Sequence, residues 1–111
     1  MQKLKPLLPT LKEKKRYLVY EVISKSELSK DVSTEVIKKC TELLGIFESS
    51  KAGLMNVKYN NEKQRGIIKV SNKYTDKLKT CLMMIKKLND NEIIIKSIYV
   101  SGLLNKAEKY I

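Results

Sequence analysis

The stretch Arg16–Ser24, RYLVYEVIS, decides the fold of this chain. It is rich in β-branched and aromatic residues, which is typical of a β-strand. Alternate residues of a strand face opposite sides of the sheet, and both sets are largely apolar here. One set is Leu18, Tyr20 and Val22, and the other is Tyr17, Val19 and Ile23. The pattern predicts a central strand that is covered on both faces.

The residues that follow predict an alternation of helices and strands. Apolar residues recur at helical spacing from Val32 to Leu44, and Gly45 ends this predicted helix. Either Ser29 or Asp31 can cap its start. The next predicted elements are a strand at Leu54–Asn60, with Met55, Val57 and Tyr59 on one side, and a hairpin strand at Ile67–Val70. A helix from about Asn72 to Leu88 and a strand at Glu92–Val100 follow. The last predicted element is a short tail helix with Leu103, Leu104, Ala107 and Ile111 on one side.

The order strand, helix, strand, strand, helix, strand predicts an α+β fold of the ferredoxin-like type. This is the βαββαβ sandwich that RNA-recognition motifs share. Right-handed crossovers then order the sheet fourth, first, third, second, with Arg16–Ser24 at its centre. The 111 residues suffice for a single domain, residues 1–111, with one core. We divide it into a basic N-terminal arm (1–15), a ferredoxin-like core (16–100) and a C-terminal helical tail (101–111).

The composition is strongly basic. The chain has 23 Lys and Arg against 12 Asp and Glu, which gives a net charge of +11. A field of this sign attracts polyanions, chiefly nucleic acid or an anionic membrane surface. All cations except Arg16 and Arg65 are lysine. Because lysine contacts phosphate as a point charge, contact with a nucleic-acid backbone is favoured over base readout, although a coding bias toward lysine would look the same.

The absence of histidine limits the chemistry that the protein can perform. It removes the usual general base near neutral pH, the commonest zinc ligand and every Ser-His or Cys-His pair, which argues against catalysis by the protein itself. Cys40 and Cys81 lack a CxxC spacing, so we expect two free core thiols, no metal site and no bound cofactor. Because no segment has the pattern of a signal peptide or a membrane span, we expect a cytoplasmic protein.

The strand that carries base-stacking aromatic residues in RNA-recognition motifs is different here. The matching stretch is Arg65–Val70, RGIIKV, which starts with the expected Arg-Gly and then has no aromatic residue. Stacking of bases on the open face of the sheet is therefore disfavoured. We expect the arm, the tail or a partner to cover that face, because its apolar side chains need burial.

Basic residues cluster immediately before the central strand and again in the tail. The candidate RNA-binding residues are Lys12, Lys14, Lys15 and Arg16 in the first cluster and Lys106 and Lys109 in the second. We interpret both clusters as contacts to backbone phosphates, although a charge run is often only a solvated face. Tyr20, Glu21 and Tyr99 are candidates for a protein interface. A Glu within a strand either pairs with a cation on the sheet face or lies at such an interface.

Three segments resemble the family of archaeal ribonuclease P protein component two, the relative of a eukaryotic subunit shared by ribonucleases P and MRP. They are RYLVYEVIS with its basic lead-in, the strand RGIIKV and above all IYVSGLLNKAEKYI at the C-terminus. The resemblance spans Leu4–Ile111. Members more often have Thr, then Leu or Ile, then Arg after the tail glycine. This chain departs from that pattern and lacks the arginine. Lys106 is the cation that lies nearest to the position of that arginine.

The resemblance implies a non-catalytic subunit of the ribonucleoprotein that removes 5′ leaders from precursor tRNA. The RNA would hold the active site and its Mg²⁺ ions, and this subunit would act with a TIM-barrel-like protein subunit. Two such pairs can join as a heterotetramer. Two other hypotheses stay open: a general structured-RNA-binding protein of ribosomal type, and a ligand-binding or enzyme domain of the same fold, which would need a pocket with converging polar groups.

Overall fold

The computed structural model describes residues 14–25, 28 and 32–111. Lys12 and the rest of the arm up to residue 13 lie outside the described residues, as do the two predicted caps, Ser29 and Asp31. The elements in chain order are β1 (Lys15–Ser24), α1 (Ser33–Leu44), α2 (Ile46–Ala52), β2 (Met55–Asn60), β3 (Arg65–Ser71), a 3₁₀ turn (Asn72–Tyr74), α3 (Thr75–Met84), β4 (Lys87–Leu88), β5 (Asn91–Ser101) and α4 (Leu104–Glu108).

The sheet confirms the predicted ferredoxin-like topology. Its strand order is β2-β3-β1-β5-β4. The central strand β1 pairs antiparallel with both β3 and β5. The short strand β4 is an addition that forms a hairpin with the start of β5. The four predicted strands thus have the predicted order, with the stretch RYLVYEVIS in the middle.

The main core lies between the sheet and the long helices α1 and α3. Leu18 and Tyr20 of β1 are fully buried in it, together with Leu78 and Leu82 of α3. Full burial of such a side chain stabilises the fold by about 1.5–3 kcal/mol. Because β1 contributes every second residue to this core, the intervening residues face the other side of the sheet, as the sequence predicts.

The C-terminal tail covers the opposite face of the sheet. A smaller cluster is buried there, formed by Val19 of β1, Ile67 of β3 and Ala107 of α4. Partly buried residues surround it: Tyr17, Val57, Ile98, Tyr99, Leu104 and Ile111. The expectation that this face is covered is confirmed, and the tail is the segment that covers it.

The second predicted helix is shorter than expected. α3 ends at Met84, and Ile85 already has an extended backbone with ψ of 115°. The last two residues of the predicted helix form β4 instead, and Asn89 and Asp90 turn the chain with φ of 50° and 68°. Positive φ at both central residues suits a tight hairpin turn. The inward positions of Ile85 and Leu88 are confirmed, but the backbone predicted between them was wrong.

Helix α2 follows α1 without being predicted by apolar spacing. The chain leaves α1 at Gly45 with φ of 86°, a conformation that glycine adopts readily, and this confirms the predicted helix end. α2 then begins with Ile46 and Phe47, which are 81% and 84% exposed. A helix whose large apolar residues point outward lacks the amphipathic pattern on which helix prediction depends.

Two predicted side-chain orientations were wrong. In β2 a bulge between Asn56 and Lys58 inserts Val57 as an extra residue. Val57 therefore packs near the tail, whereas Tyr59 packs against the main core. In the tail, Leu103 is exposed rather than buried, because it is the extended residue that precedes α4.

Candidate nucleic-acid interface

The first basic cluster lies where the central strand begins. Lys14 is exposed, whereas Lys15 and Arg16 are half-buried. The backbone N–H of Asn72 donates to the Lys14 carbonyl at 2.7 Å, which joins the start of β1 to the turn before α3. The sheet therefore sets the positions of these three cations. The fourth predicted member, Lys12, lies outside the described residues.

Lys15 and Arg16 extend in different directions from the strand. A Cβ atom built onto Gly53, just after α2, would lie 3.2 Å from Lys15 Nζ. A Cβ atom built onto Gly102, at the start of the tail, would lie 3.4 Å from Arg16 Nη1. Successive side chains of a strand point to opposite sides, which separates the two cations. The cluster is therefore divided between two directions at the start of β1 and is not one compact patch.

The second basic cluster lies on the tail helix. α4 buries Ala107 completely against the sheet, while Lys106 and Lys109 are exposed. Lys58 of β2 forms an ion pair with Glu108, with 2.9 Å between Nζ and Oε2. The buried alanine and the ion pair fix the rotation of the helix. The two tail lysines consequently face solvent above the sheet.

Arg65, at the start of β3, holds the end of the tail and was not among the predicted site residues. Its Nη1 donates to the Tyr110 carbonyl at 2.9 Å, and its Nε lies 3.5 Å from Glu21 Oε2. Glu21 and Arg65 are cross-strand partners. Glu21 thus pairs with a cation on the sheet face, and its place at a protein interface stays a prediction. The opposite charges of Glu21 and Arg65 are a signal that the sequence contains. Only the strand register reveals that the two side chains face each other.

The start of the tail lies beside the first cluster. β1 and β5 run antiparallel, and Tyr17 is the cross-strand partner of Ser101. Gly102 consequently lies next to Arg16, at the edge where β1 begins. The tail then crosses the sheet toward Arg65, which is at the other end of β3 from that edge. Arg16 and the start of the tail thus share one edge, whereas Lys106 and Lys109 lie farther along the tail.

The candidate protein-interface residues differ in exposure. Tyr20 is fully buried, and its ring centroid lies 6.2 Å from that of Tyr59. A Cβ atom on Gly66 would come within 2.7 Å of Tyr20 Oη, so only glycine fits this close approach. A partner could touch Tyr20 only if the core opened. Glu21 and Tyr99 are partly exposed, and the Tyr99 ring stacks on Tyr110 with centroids 4.2 Å apart.

Carboxylates neutralise few of the cations in the described part of the chain. The ion pairs found there are Lys58–Glu108, Arg65–Glu21 and Lys77–Glu48. None of them includes a described candidate RNA-binding residue: Lys14, Lys15, Arg16, Lys106 and Lys109. These residues therefore keep their charge available for an external anion such as phosphate.

The two cysteines form a buried, chemically quiet pair. Cys40 and Cys81 are both free and buried. Burial, and then the charge of the Cys81 thiolate, raise the pKa of Cys40 to about 12. Burial also raises the pKa of Cys81. Because each thiol stays protonated near neutral pH, neither is an activated nucleophile.

The described residues contain neither a metal-binding cluster nor a membrane-spanning helix. No group of three or more His, Cys, Asp or Glu side chains comes together among them in a way that could hold a metal ion. In the same part of the chain, no helix has the length and apolar character that crossing a membrane requires.

Comparison with known proteins finds similarity along nearly the whole chain. The sequence model of the Rpp14/Pop5 family matches residues 16–111. Ribonuclease P protein component 2 of Pyrococcus horikoshii is 32% identical over 110 residues, which cover 98% of this chain and 92% of that protein. The protein of the same name from Methanococcus vannielii is 37% identical over 100 residues, covering 89% of this chain and 75% of that one.

A solved structure supports the fold. One chain in the cryo-EM structure of yeast ribonuclease MRP matches with a TM-score of 0.62 and covers 88% of this chain and 86% of its own length. The sequence identity is 9%. At that identity the likeness concerns the fold alone, and it agrees with the ferredoxin-like arrangement of the sheet and helices.

Proposed function

Because this chain belongs to the Rpp14/Pop5 family, we propose that it is a non-catalytic, RNA-binding protein subunit of ribonuclease P. It supports the RNA-catalysed removal of 5′ leaders from precursor tRNA in the cytoplasm. The similarity to archaeal proteins named ribonuclease P protein component 2 supports this proposal. A chain without histidine fits an enzyme whose RNA holds the active site and the Mg²⁺ ions, with no cofactor on this protein.

The observation that carries the RNA-binding role is the edge at which Arg16 meets Gly102. The two most distinctive segments of the sequence, the start of β1 and the start of the tail, lie together there. Arg16 Nη1 donates to the Lys15 carbonyl at 3.1 Å. A guanidinium has five N–H donors, so most of them remain for a phosphate, which arginine can bind in a bidentate manner. Lys14 and Lys15 directly precede Arg16 and add positive charge at the same end of β1.

Exposed apolar residues support the proposal of protein partners. Leu43, Ile46 and Phe47 form an outward-facing corner between α1 and α2. An exposed apolar patch of this kind marks an interaction surface. Glu42 and Glu48 flank this corner in the sequence, so it is less positive than most of the chain. We propose that it joins two copies, so that two pairs with a TIM-barrel-like subunit form a heterotetramer.

Reconstitution of the enzyme tests the proposed function. The cognate RNA and the TIM-barrel-like subunit are combined with or without this protein at moderate Mg²⁺, and the rate of leader cleavage is measured. We expect the protein to raise the rate. An unchanged rate contradicts the assignment, and RNA binding without any stimulation would favour a general structured-RNA-binding protein.

A charge-removal variant tests the edge itself. Lys14→Ala/Lys15→Ala/Arg16→Ala should weaken RNA binding and reduce the slope of log affinity against log salt by roughly 0.7–0.9 for each phosphate that the variant no longer neutralises. Lys38→Ala/Lys39→Ala removes two exposed cations from α1 and serves as the control. If both variants change the slope equally for each charge removed, the positive surface acts as a whole and the edge has no special role.

A further inference from the structure

The tail-covered face of the sheet carries two stacked tyrosine rings. Tyr99 of β5 and Tyr110, which follows α4, have ring centroids 4.2 Å apart and an angle of 21° between the ring planes. Tyr99 is half-buried, and Tyr110 is 40% exposed. Tyr99 covers one face of the Tyr110 ring, so a further flat molecule can stack on Tyr110 only from the opposite face. We call this pair of rings the tyrosine platform.

Contacts from the sheet and the tail hold both members of the tyrosine platform in place. Arg65 Nη1 donates to the Tyr110 carbonyl at 2.9 Å. Ala107, three residues earlier, is fully buried against the sheet. Tyr99 belongs to β5, where its cross-strand partner is the fully buried Val19. Because these contacts order the rings before any ligand arrives, stacking on the platform costs little conformational freedom.

Two exposed lysines accompany the tyrosine platform. Lys96 of β5 is the cross-strand partner of Glu21, which in turn faces Arg65. Side chains of cross-strand partners lie on the same side of a sheet, so Lys96 shares the face on which Arg65 holds the tail. Lys109 directly precedes Tyr110. Within the described residues, neither lysine forms an ion pair.

An aromatic ring with one free face, together with unpaired cations, suits a ligand that is both flat and negatively charged. An unpaired nucleotide of RNA has both properties, because its base presents a π-face and its phosphate carries charge. In a duplex the bases stack on one another, and their faces are not available. The strand that supplies stacking aromatic residues in RNA-recognition motifs, β3, contains none here, whereas β5 and the tail together supply two.

The stacking surface is confined to one part of this face. Farther along β1 and β5, Ile23 and Ile94 are cross-strand partners that are 42% and 59% exposed. Their aliphatic side chains offer no π-face on which a base could stack. The face thus has an aromatic part beside the tail and an aliphatic part beyond Lys96, and only the first fits a nucleotide.

We propose that an unpaired base of the ribonuclease P RNA stacks on the Tyr110 ring of the tyrosine platform, while Lys96 and Lys109 contact the phosphates that flank this base. The inference rests on the proposed function for the identity of the RNA. It adds a contact to a base, whereas the edge at Arg16 contacts phosphates. Loss of the Tyr110 ring therefore weakens binding without changing the number of phosphates that the protein neutralises.

Substitution of Tyr110 tests the stacking, with the full chain and the cognate RNA. Tyr110→Leu keeps an apolar side chain without the ring and should raise the dissociation constant about fivefold or more. The slope of log affinity against log salt should stay the same, because stacking releases no counterions. Tyr110→Phe keeps the ring and should bind like the wild type. Ile94→Ala changes an exposed residue outside the platform and should leave the affinity unchanged.

A fluorescence measurement reports whether a base reaches the platform. The chain has no tryptophan, so Tyr110→Trp introduces a single indole there. A short single-stranded RNA should quench the emission of this indole, and the duplex of the same sequence should not. Hydrogen exchange of the α4 amides checks that the tail stays docked in each Tyr110 variant.

A second substitution tests the phosphate contacts. Lys96→Gln should reduce the salt slope by about 0.7, the value for one phosphate of a single strand. Lys39→Gln removes an exposed cation from α1 and is the matched control. If the two variants reduce the slope equally, Lys96 contributes only to the general positive field, and its assigned phosphate contact is wrong.

The outcomes separate this inference from the proposed function. If the wild-type chain binds the cognate RNA and Tyr110→Leu binds it equally well, the inference is overturned and the function stands. The inference is also overturned if Tyr110→Phe loses as much affinity as Tyr110→Leu, or if the indole is not quenched. A Tyr110→Leu chain that keeps RNA but loses a protein subunit would make the platform a protein interface, which overturns it as well. If the wild-type chain does not bind the cognate RNA, the proposed function itself is contradicted.

Discussion

The two faces of the central sheet differ in how they are covered. The face toward α1 and α3 belongs to a large, continuous core that includes residues of every long element. Among the described residues, the opposite face has a cluster of three fully buried side chains, Val19, Ile67 and Ala107, the last of which belongs to the five-residue helix α4. The helix-covered face therefore buries most of the core, whereas the tail-covered face carries the exposed lysines of α4, Lys106 and Lys109.

The largest expected effect is a difference in unfolding free energy between two variants of one strand, whose side chains lie on opposite faces of the sheet. Ile67 and Ile68 are neighbours in β3, and both are fully buried, but they point to opposite faces. Ile68→Ala should cost about 3–5 kcal/mol of unfolding free energy, toward the upper end for such truncations. Ile67→Ala should cost less, about 2 kcal/mol, because the tail can settle into the cavity.

Urea unfolding of the two variants measures this difference through the shift in midpoint at constant slope. Each variant is the matched control for the other, since the residue, the strand and the burial are the same. Equal costs would mean that the tail packs as rigidly as the helices, and the contrast between the faces would disappear.

A charge buried under the tail should have a smaller effect, limited by release of the tail. Ala107→Asp places a carboxylate against Val19 and Ile67, which is unfavourable while α4 stays docked. Because the tail can detach, the cost should not exceed that of local opening, about 1–2 kcal/mol. Hydrogen exchange of the α4 amides should become fast while the main core stays protected. Asn105→Asp adds the same charge at an exposed position of α4 and should leave exchange unchanged.

Removal of the Arg65 contacts should loosen only the end of the tail. Arg65→Gln eliminates the hydrogen bond to the Tyr110 carbonyl and the ion pair with Glu21. The expected loss is about 1 kcal/mol, since both contacts are partly exposed. The loosened tail should let the stacked Tyr99 and Tyr110 rings separate. Changed chemical shifts of these aromatic rings would report the separation. Lys63→Gln in the neighbouring turn is the control, and unchanged ring stacking in Arg65→Gln would show that stacking alone holds the tail.

The smallest expected effect is a pH dependence on the helix-covered side. Glu48 of α2 accepts a hydrogen bond from Tyr74 Oη at 2.6 Å and one from Lys77 Nζ at 3.2 Å. These bonds, the tyrosine first, lower the pKa of Glu48 from its ordinary value of 4.5. A lowered pKa in the folded state means that the contribution is present above pH 4.5 and is lost as the pH falls through the folded value.

The measurement compares the melting temperatures of the wild type and Glu48→Gln at about pH 7 and about pH 3, on either side of the range in which the carboxyl titrates. At neutral pH the melting temperature of the wild type should be slightly higher than that of Glu48→Gln. This difference in melting temperature should be smaller in acid. Glu42→Gln removes an exposed carboxylate from the preceding helix and should show no such pH-dependent difference. A Glu48→Gln difference that is the same at both pH values would mean that the interactions do not depend on ionisation.

Local sequence patterns predicted the main elements because their periods are strong. The double apolar alternation of Arg16–Ser24 identified the central strand, and the stripe from Val32 identified α1. The same kind of signal misled at Ile85 and Leu88, which are buried from a hairpin and not from a helix. The apolar pattern did not predict α2, because the large apolar residues of this helix are exposed and do not mark a side that faces the core.

The candidate site was predicted less completely than the fold. Lysine and arginine residues before β1 and in the tail could be selected from their charge and position. The pairing of Arg65 with Glu21, and its bond to the tail, could not be selected, because these residues lie 44 and 45 positions from their partners along the chain. Strand register and the path of the tail bring them together.

The sequence by itself determined the order of the four main strands and the two long helices, the central place of RYLVYEVIS and the positive charge, because periodicity and composition are local properties. Only the tertiary structure decided that the tail covers the second face, that Arg16 meets Gly102 and that Ile23 and Ile94 remain open. Each of these depends on contacts between residues distant in the chain, which the register of the sheet and the packing of α4 select together.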